Sequence, residues 1–226
     1  MNTKVTAIIV AAGEGQRMGG VDKIFAPING RAALARVLDV FNGCKQIDEI
    51  VVVMAPANIE ACRKLVEAEG WSKVKDVVGG GKRRQDSVAA GLKRIKDADW
   101  VVIHDGARPL VTVDLIERGL EAAKATGAAA AAIPVTDTIK EVHSGEIVVN
   151  TPSRQNLRAI QTPQVFRRDI IEKAYQNAAG DVTDDAALVE NAGYQVKLYM
   201  GSYANIKITT PDDLKIAEGL MKQNER

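Results

Sequence analysis

Short apolar runs alternate along the chain with stretches of helical spacing. Residues 5–10, Val5-Thr6-Ala7-Ile8-Ile9-Val10, form a continuous strand-forming run, the pattern of a strand covered on both faces. It ends in a glycine-rich stretch, Ala11-Ala12-Gly13-Glu14-Gly15-Gln16-Arg17-Met18-Gly19-Gly20, which reads as a loop. Over 32–41 the spacing of Leu34, Val37, Leu38 and Phe41 predicts a helix, and Asn42-Gly43 supplies its stop. The alternation continues with strands over 49–54, 74–78 and 100–104 and helices over 57–69, 85–95 and 113–126.

Residues 128–134 carry two readings. Five consecutive alanines favour helix by propensity, whereas Ile133-Pro134-Val135 and the alternating context favour a closely covered strand. Beyond it the pattern changes. Thr138 to Val142 and Ile147 to Asn150 flank His143-Ser144-Gly145-Glu146, which predicts a hairpin. A two-stranded ribbon is marginal alone in water, so it packs either on its own domain or on a second copy of the chain. The remainder predicts helices over 168–178 and 184–191, strands over 195–200 and 205–208, and a last helix from Pro211, opened by Thr210-Pro211-Asp212-Asp213. Such alternation argues for an α/β fold of three layers around a mostly parallel, twisted sheet. A length of 226 residues suits one such domain over the whole chain.

Composition narrows the function. Thirty Lys and Arg against twenty-nine Asp and Glu leave a formal charge of +1, so no bulk field points to nucleic acid or to an anionic membrane. No apolar run has the length of a membrane span and no secretion signal precedes residue 5, so the expected location is the cytoplasm. Cys44 and Cys62 lack metal-ligand spacing and read as reduced structural residues.

The chemistry is expected at the carboxyl ends of the strands, where open α/β sheets bind ligands. In the first loop, glycines let backbone N–H groups approach an anion, and Arg17 and Lys23 add two cations; phosphate is the natural guest. A dinucleotide-binding fingerprint is excluded because Met18 stands where a third glycine is needed, and a P-loop because Arg83 follows Gly81-Lys82. The second glycine stretch, Gly79 to Ser87, contains Gly81, Arg84 and Ser87. It suits a base edge or further phosphate, and equally a solvated basic loop before a helix. Asp105, at the end of the strand over 100–104, could hold Mg²⁺ or a ribose hydroxyl, or pair with Arg108. His104 reads as a packing residue.

These segments together resemble the 2-C-methyl-D-erythritol 4-phosphate cytidylyltransferase family. The resemblance rests on Ala11-Ala12-Gly13-x-Gly15-x-Arg17-Met18 with Lys23, Asp86-Ser87-Val88-x-x-Gly91-Leu92, and His104-Asp105-Gly106-Ala107-Arg108-Pro109. It continues through Asp137-Thr138-Ile139-Lys140, Gln161-Thr162-Pro163-Gln164-x-Phe166, Thr183-Asp184-Asp185 and Asn205-Ile206-Lys207-Ile208-Thr209-x-Pro211-x-Asp213-Leu214. It implies a Rossmann-like nucleotidyltransferase fold with a protruding β-hairpin arm over 137–154, and a homodimer into whose second subunit the arm reaches. Arg17 and Lys23 correspond to the catalytic cations at the reacting phosphates. Ala11, Ala12, Gly13, Gly15, Gly81, Arg84, Ser87 and Asp105 fall at CTP-binding positions. Asp105, Arg108, Thr138, Arg154, Thr183 and Lys207 fall around the sugar phosphate. Mg²⁺ or another divalent cation is expected on the CTP phosphates. Two departures stand out: Gly30-Arg31-Ala32 replaces a segment that often holds proline, and Lys82 stands where related chains carry an acid beside the cytosine. A ribitol 5-phosphate cytidylyltransferase and a non-catalytic nucleotide-binding regulatory module are the alternatives.

Overall fold

A computed structural model gives the fold, and it describes residues 3–13, 23–178 and 180–224. The chain begins with β1 (Val5–Ala11), a small ribbon of β2 (Pro27–Ile28) and β3 (Arg31–Ala32), α1 (Ala33–Gly43), β4 (Glu49–Met54) and α2 (Ile59–Glu69). It continues through β5 (Val74–Gly79), α3 (Arg84–Leu92), β6 (Trp100–Asp105), α4 (Val113–Ala123) and β7 (Ala128–Pro134). After the ribbon of β8 (Glu141–Val142) and β9 (Val148–Asn150) come β10 (Arg158–Arg167), α5 (Arg168–Gln176), α6 (Asp185–Asn191), β11 (Lys197–Met200) and α7 (Pro211–Asn224).

Seven strands make one sheet in the order β11-β7-β10-β6-β1-β4-β5. The pairs β6-β1, β1-β4, β4-β5 and β11-β7 are parallel, while β10 runs antiparallel to both its neighbours. Successive strand side chains point to opposite faces, and the core divides accordingly. Ala7 and Ile9 of β1 pack with Leu34, Leu38 and Phe41 of α1, Cys62 of α2 and Leu115 of α4. Ile8 packs on the other face with Val88 and Leu92 of α3, Ile170 of α5 and Leu188 of α6. The result is the expected three layers.

Residues 128–134 form a strand. Ala128 to Ala132 are all buried, and their small side chains let α4 approach the sheet closely. A methyl group on Gly119 of α4 would stand 2.9 Å from Tyr199 Cζ and 3.0 Å from Val165 Cγ2. Tertiary packing therefore overrides the helix propensity of alanine. Residues 205–208 do not form the expected strand. Asn205 closes a turn onto Ser202, and Ile208 N–H donates to Ala107 O at 2.8 Å, so this segment crosses the sheet's end instead of extending it.

The predicted ribbon exists in shortened form and does not fold back on its own domain: Ile147 is 69% exposed, Val148 52% and Val149 51%. Among the described residues no helix is long and apolar enough to cross a membrane.

Candidate active site

The chain leaves β1, β5 and β6 at the same end of the sheet, where a cleft of about 780 Å³ opens, a size suited to a small-molecule ligand. Beyond β5, Gly80 N–H donates to Met54 O at 2.8 Å. A methyl group on Gly80 would lie 2.4 Å from Ala12 Cβ and 2.6 Å from Ser87 Oγ, so glycine lets the β1 and β5 loops close on each other. Ser87 Oγ accepts from Gly81 N–H and donates to Arg83 O, both at 3.2 Å. Asp86 turns its carboxylate back to Arg83 N–H at 3.2 Å, capping α3. The basic loop is thus folded by its own polar residues, and its glycines stay open to the cleft.

Ala11, Ala12, Gly13 and Lys23 line one side of the cleft, and Gly81, Lys82, Arg84 and Ser87 line another. A methyl group on Gly13 would lie 3.7 Å from Lys23 Nζ, which puts this cation over the loop backbone. Asp105 and Lys207 complete the lining. Gly15 and Arg17 lie outside the described residues.

Asp105 is the charged centre. Lys207 Nζ stands 2.7 Å from its Oδ2, Arg84 Nε 3.1 Å from its Oδ1, and Arg108 Nε 3.9 Å from Oδ2. Burial alone would raise its pKa, but Arg84, Lys207 and Arg108 outweigh burial and hold the carboxyl well below the usual carboxylate range. Arg108 is mainly committed elsewhere, donating from Nη1 to Asn205 O at 2.7 Å. It does not line the cleft. Burial lowers its pKa against the favourable charge of Asp105.

Two residues of this centre carried no assigned role in the sequence, although both lie inside recognised motifs. Asp185 is fully buried and stands 2.7 Å from Arg84 Nη1. Its Oδ1 accepts from the Tyr175 hydroxyl at 2.5 Å. Burial disfavours the Arg84 charge, but Asp185 and Asp105 more than restore it and push its pKa above the ordinary arginine value. Thr162 is the second. The register of β10 against β7 shifts between Ile160 and Gln164, and such a bulge re-aims side chains. Thr162 Oγ1 accepts from Asp105 N–H at 3.0 Å and contacts His104 Nδ1 at 3.0 Å. Arg108 O can only accept, so the proton of the neutral ring sits on Nε2, 3.2 Å from it, and Nδ1 accepts the Thr162 hydroxyl proton. His104 fixes the turn that presents Asp105.

The remaining expected positions are not among the residues that line the cleft. Thr138 and Arg154 are exposed on and beside the arm, Arg154 Nη1 donating to Thr136 O. Thr183 is exposed immediately before α6. Among the described residues no group of three or more His, Cys, Asp or Glu could hold a metal ion, and Asp105 is the one carboxylate in the cleft lining. That donor set suits a magnesium ion carried by substrate phosphates more than one caged by protein.

The model of the family described as 2-C-methyl-D-erythritol 4-phosphate cytidylyltransferase matches residues 5–223. A protein of that name from Dehalococcoides mccartyi strain CBDB1 is 52% identical over 223 residues, 99% of this chain and 98% of its own length. One from Alkaliphilus metalliredigens is 44% identical over 229 residues, 99% of this chain and 95% of its own. Among solved structures, 4-diphosphocytidyl-2C-methyl-D-erythritol synthase from Anaerococcus prevotii superposes with a TM-score of 0.87 at 31% identity, covering 98% of this chain and 97% of that one. Since the match spans both glycine loops, the Asp105 turn and the arm, the chain belongs to the 2-C-methyl-D-erythritol 4-phosphate cytidylyltransferase family.

Proposed function

We propose that the protein transfers the cytidylyl group of CTP to 2-C-methyl-D-erythritol 4-phosphate, releasing pyrophosphate and forming 4-diphosphocytidyl-2-C-methyl-D-erythritol for isoprenoid precursor synthesis. The observation that carries this reading is a single cleft lined by two glycine loops, with Lys23 over one of them and Lys207 against Asp105. Backbone N–H groups and an ammonium suit a triphosphate, and a second ammonium held by a carboxylate suits the acceptor phosphate.

The acceptor phosphate is ionised near neutral pH, so its oxygen attacks the α-phosphorus in line without a general base. His104 is not needed for one, and both its ring nitrogens are already engaged. The barrier lies in bringing two anions together and in the charge that builds on the α-phosphoryl oxygens. Lys23 and Arg17 offset that charge, with Ala11, Ala12, Gly13 and Gly15 supplying the loop backbone. Gly81 and Ser87 face the base and ribose; Arg84, bound to Asp105 and Asp185, holds the nucleotide side of the cleft in shape. Asp105 holds Lys207, which with Arg108, Thr183, Thr138 and Arg154 receives the sugar phosphate. A divalent cation carried on the CTP phosphates would supply further neutralisation, and Asp105 is the lining carboxylate among the described residues that could help hold it.

Thr138 and Arg154 join the site as a homodimer brings the arm of a second copy over the cleft. The exposed row of Ile147, Val148 and Val149 supports that reading, because a monomer would leave it in water. The chain is a single catalytic domain carrying this arm, and it works in the cytoplasm, where CTP is supplied.

A pyrophosphate-release panel crossing CTP, UTP, ATP and GTP with 2-C-methyl-D-erythritol 4-phosphate and ribitol 5-phosphate, in Mg²⁺, tests the reading. Release is expected only for CTP with the methylerythritol phosphate. Equal turnover of ribitol 5-phosphate, or CTP binding with no release for either acceptor, overturns it.

A further inference from the structure

Three consecutive residues at the start of α3 reach one short segment that leads into α6 and includes its first residue, Asp185. Arg83 Nη1 meets Asp181 Oδ1 and Arg84 Nη1 meets Asp185 Oδ2, both at 2.7 Å. Between them, Gln85 uses both ends of its amide on backbone groups: Nε2 donates to Gly180 O at 3.1 Å, and Oε1 accepts from Val182 N–H at 3.2 Å. The three links are not equivalent. The Arg83–Asp181 pair is exposed, at 49% and 77%, and solvent screens it. Arg84 belongs to the Asp105 centre and cannot be changed without disturbing the cleft. Gln85 is neutral, half-buried and absent from the cleft lining.

Thr183 stands between two pins. On one side Val182 is held by Gln85. On the other, Asp184 caps α6 by accepting from Ala187 N–H at 3.0 Å and is fixed by Gln164 Nε2 at 2.8 Å. We propose that Gln85 is a positioning residue for the acceptor phosphate: by gripping Gly180 and Val182 from the first turn of the nucleotide-loop helix, it sets the place of Thr183. The inference rests on the assignment of Thr183 to the acceptor. Its consequence is that the nucleotide loop and the acceptor segment share one support, so the pose of one reaches the other through a side chain that touches neither substrate.

Gln85→Met keeps the length and bulk of the side chain and removes both bonds. In the full-length enzyme the KM for 2-C-methyl-D-erythritol 4-phosphate should rise about five- to tenfold, the low end of the loss for two neutral hydrogen bonds, because neither bond is made to the substrate itself. CTP affinity measured without acceptor, and kcat, should stay within about twofold. Thr183→Val and the double variant complete the cycle: once Thr183 is removed, Gln85→Met should cost almost nothing more. If Thr183→Val raises the acceptor KM and Gln85→Met does not, Gln85 has no positioning role and the assignment of Thr183 survives. If Thr183→Val leaves the acceptor KM unchanged, the assignment itself fails. A parallel loss of CTP affinity and acceptor binding in Gln85→Met, or full additivity in the cycle, makes Gln85 a structural residue of α3 and overturns the proposal.

Discussion

His104 and Asp105 are neighbours with opposite titration behaviour, and the difference is readable in solution. His104 is buried with its ring centroid 5.2 Å from that of Phe41, and burial lowers its pKa from 6.5 to about 4. Between those two values the unfolded chain binds a proton that the folded chain refuses, so stability falls as pH falls through this window, by roughly 3 kcal/mol at most. Asp105 has its pKa depressed, so its contribution is complete above the ordinary value of 3.8 and is lost only at lower pH. Urea unfolding of the wild type at pH 7, 5.5 and 4.5 should therefore show declining stability from the histidine alone among these two. His104→Gln should be less stable at pH 7 and flatter across the series; an unchanged slope would assign the effect to another group. Lys23 carries the kinetic prediction at this scale. Lys23→Ala should lower kcat on the order of 10²–10³-fold with a modest change in CTP affinity, because its ammonium serves charge that peaks in the transition state. Near-normal turnover in that variant removes Lys23 from the reacting phosphates.

The loop between β5 and α3 is where element packing shapes the cleft. Its closest approach is at Gly80, where a methyl group would overlap Ala12 Cβ at 2.4 Å and Ser87 Oγ at 2.6 Å. Gly80→Ala should raise the KM for CTP tenfold or more by forcing the two glycine loops apart. Gly43→Ala, where nothing lies within 4 Å of the added methyl, should leave CTP binding unchanged. If both variants bind CTP alike, the loop spacing is not what shapes the cleft. The strands that build this region were legible because burial on both faces leaves an uninterrupted apolar run: β4 spans Glu49–Met54, as its sequence predicts. β10 escaped detection for the converse reason. Gln161, Thr162, Pro163 and Gln164 interrupt its apolar pattern, and their polar groups are satisfied by Ser202, Asp105 and Asp184, which sequence spacing cannot reveal. Residues 205–208 misled in the other direction. Their polar–apolar alternation suggests a ladder, but the buried positions are Asn205 and Ile208, three apart, with Lys207 turned to Asp105, a pattern set by a site and not by a strand. That the first-strand loop, the second glycine loop and Asp105 would meet at one cleft was readable because all three follow strand ends. Asp185 was not, because its partner Arg84 lies 101 positions away in the chain.

At the scale of the whole molecule the question is which chain completes which cleft. Lys23 lines the cleft of its own chain, whereas Arg154 beside the exposed arm does not. If the arm serves a second copy, each active site takes Lys23 from one chain and Arg154 from the other. Arg154→Ala alone should then weaken acceptor binding chiefly, and Lys23→Ala alone should depress turnover, each in every site of its homodimer. Mixing the two impaired variants under conditions that exchange subunits, with acceptor well below the KM of Arg154→Ala, gives a different outcome. Half of the dimers become mixed, and in each mixed dimer one site collects both defects while the other collects none. About a quarter of wild-type sites should return, a consequence of two-fold pairing. Had each chain supplied its own Arg154, every site in the mixture would keep one defect and activity would stay at the level of the parents. Placing an aspartate at Val149, which is 51% exposed on β9, offers an independent check by sedimentation. The charge would have to be buried at the arm's contact, so the dimer should dissociate and the regained quarter should vanish with it.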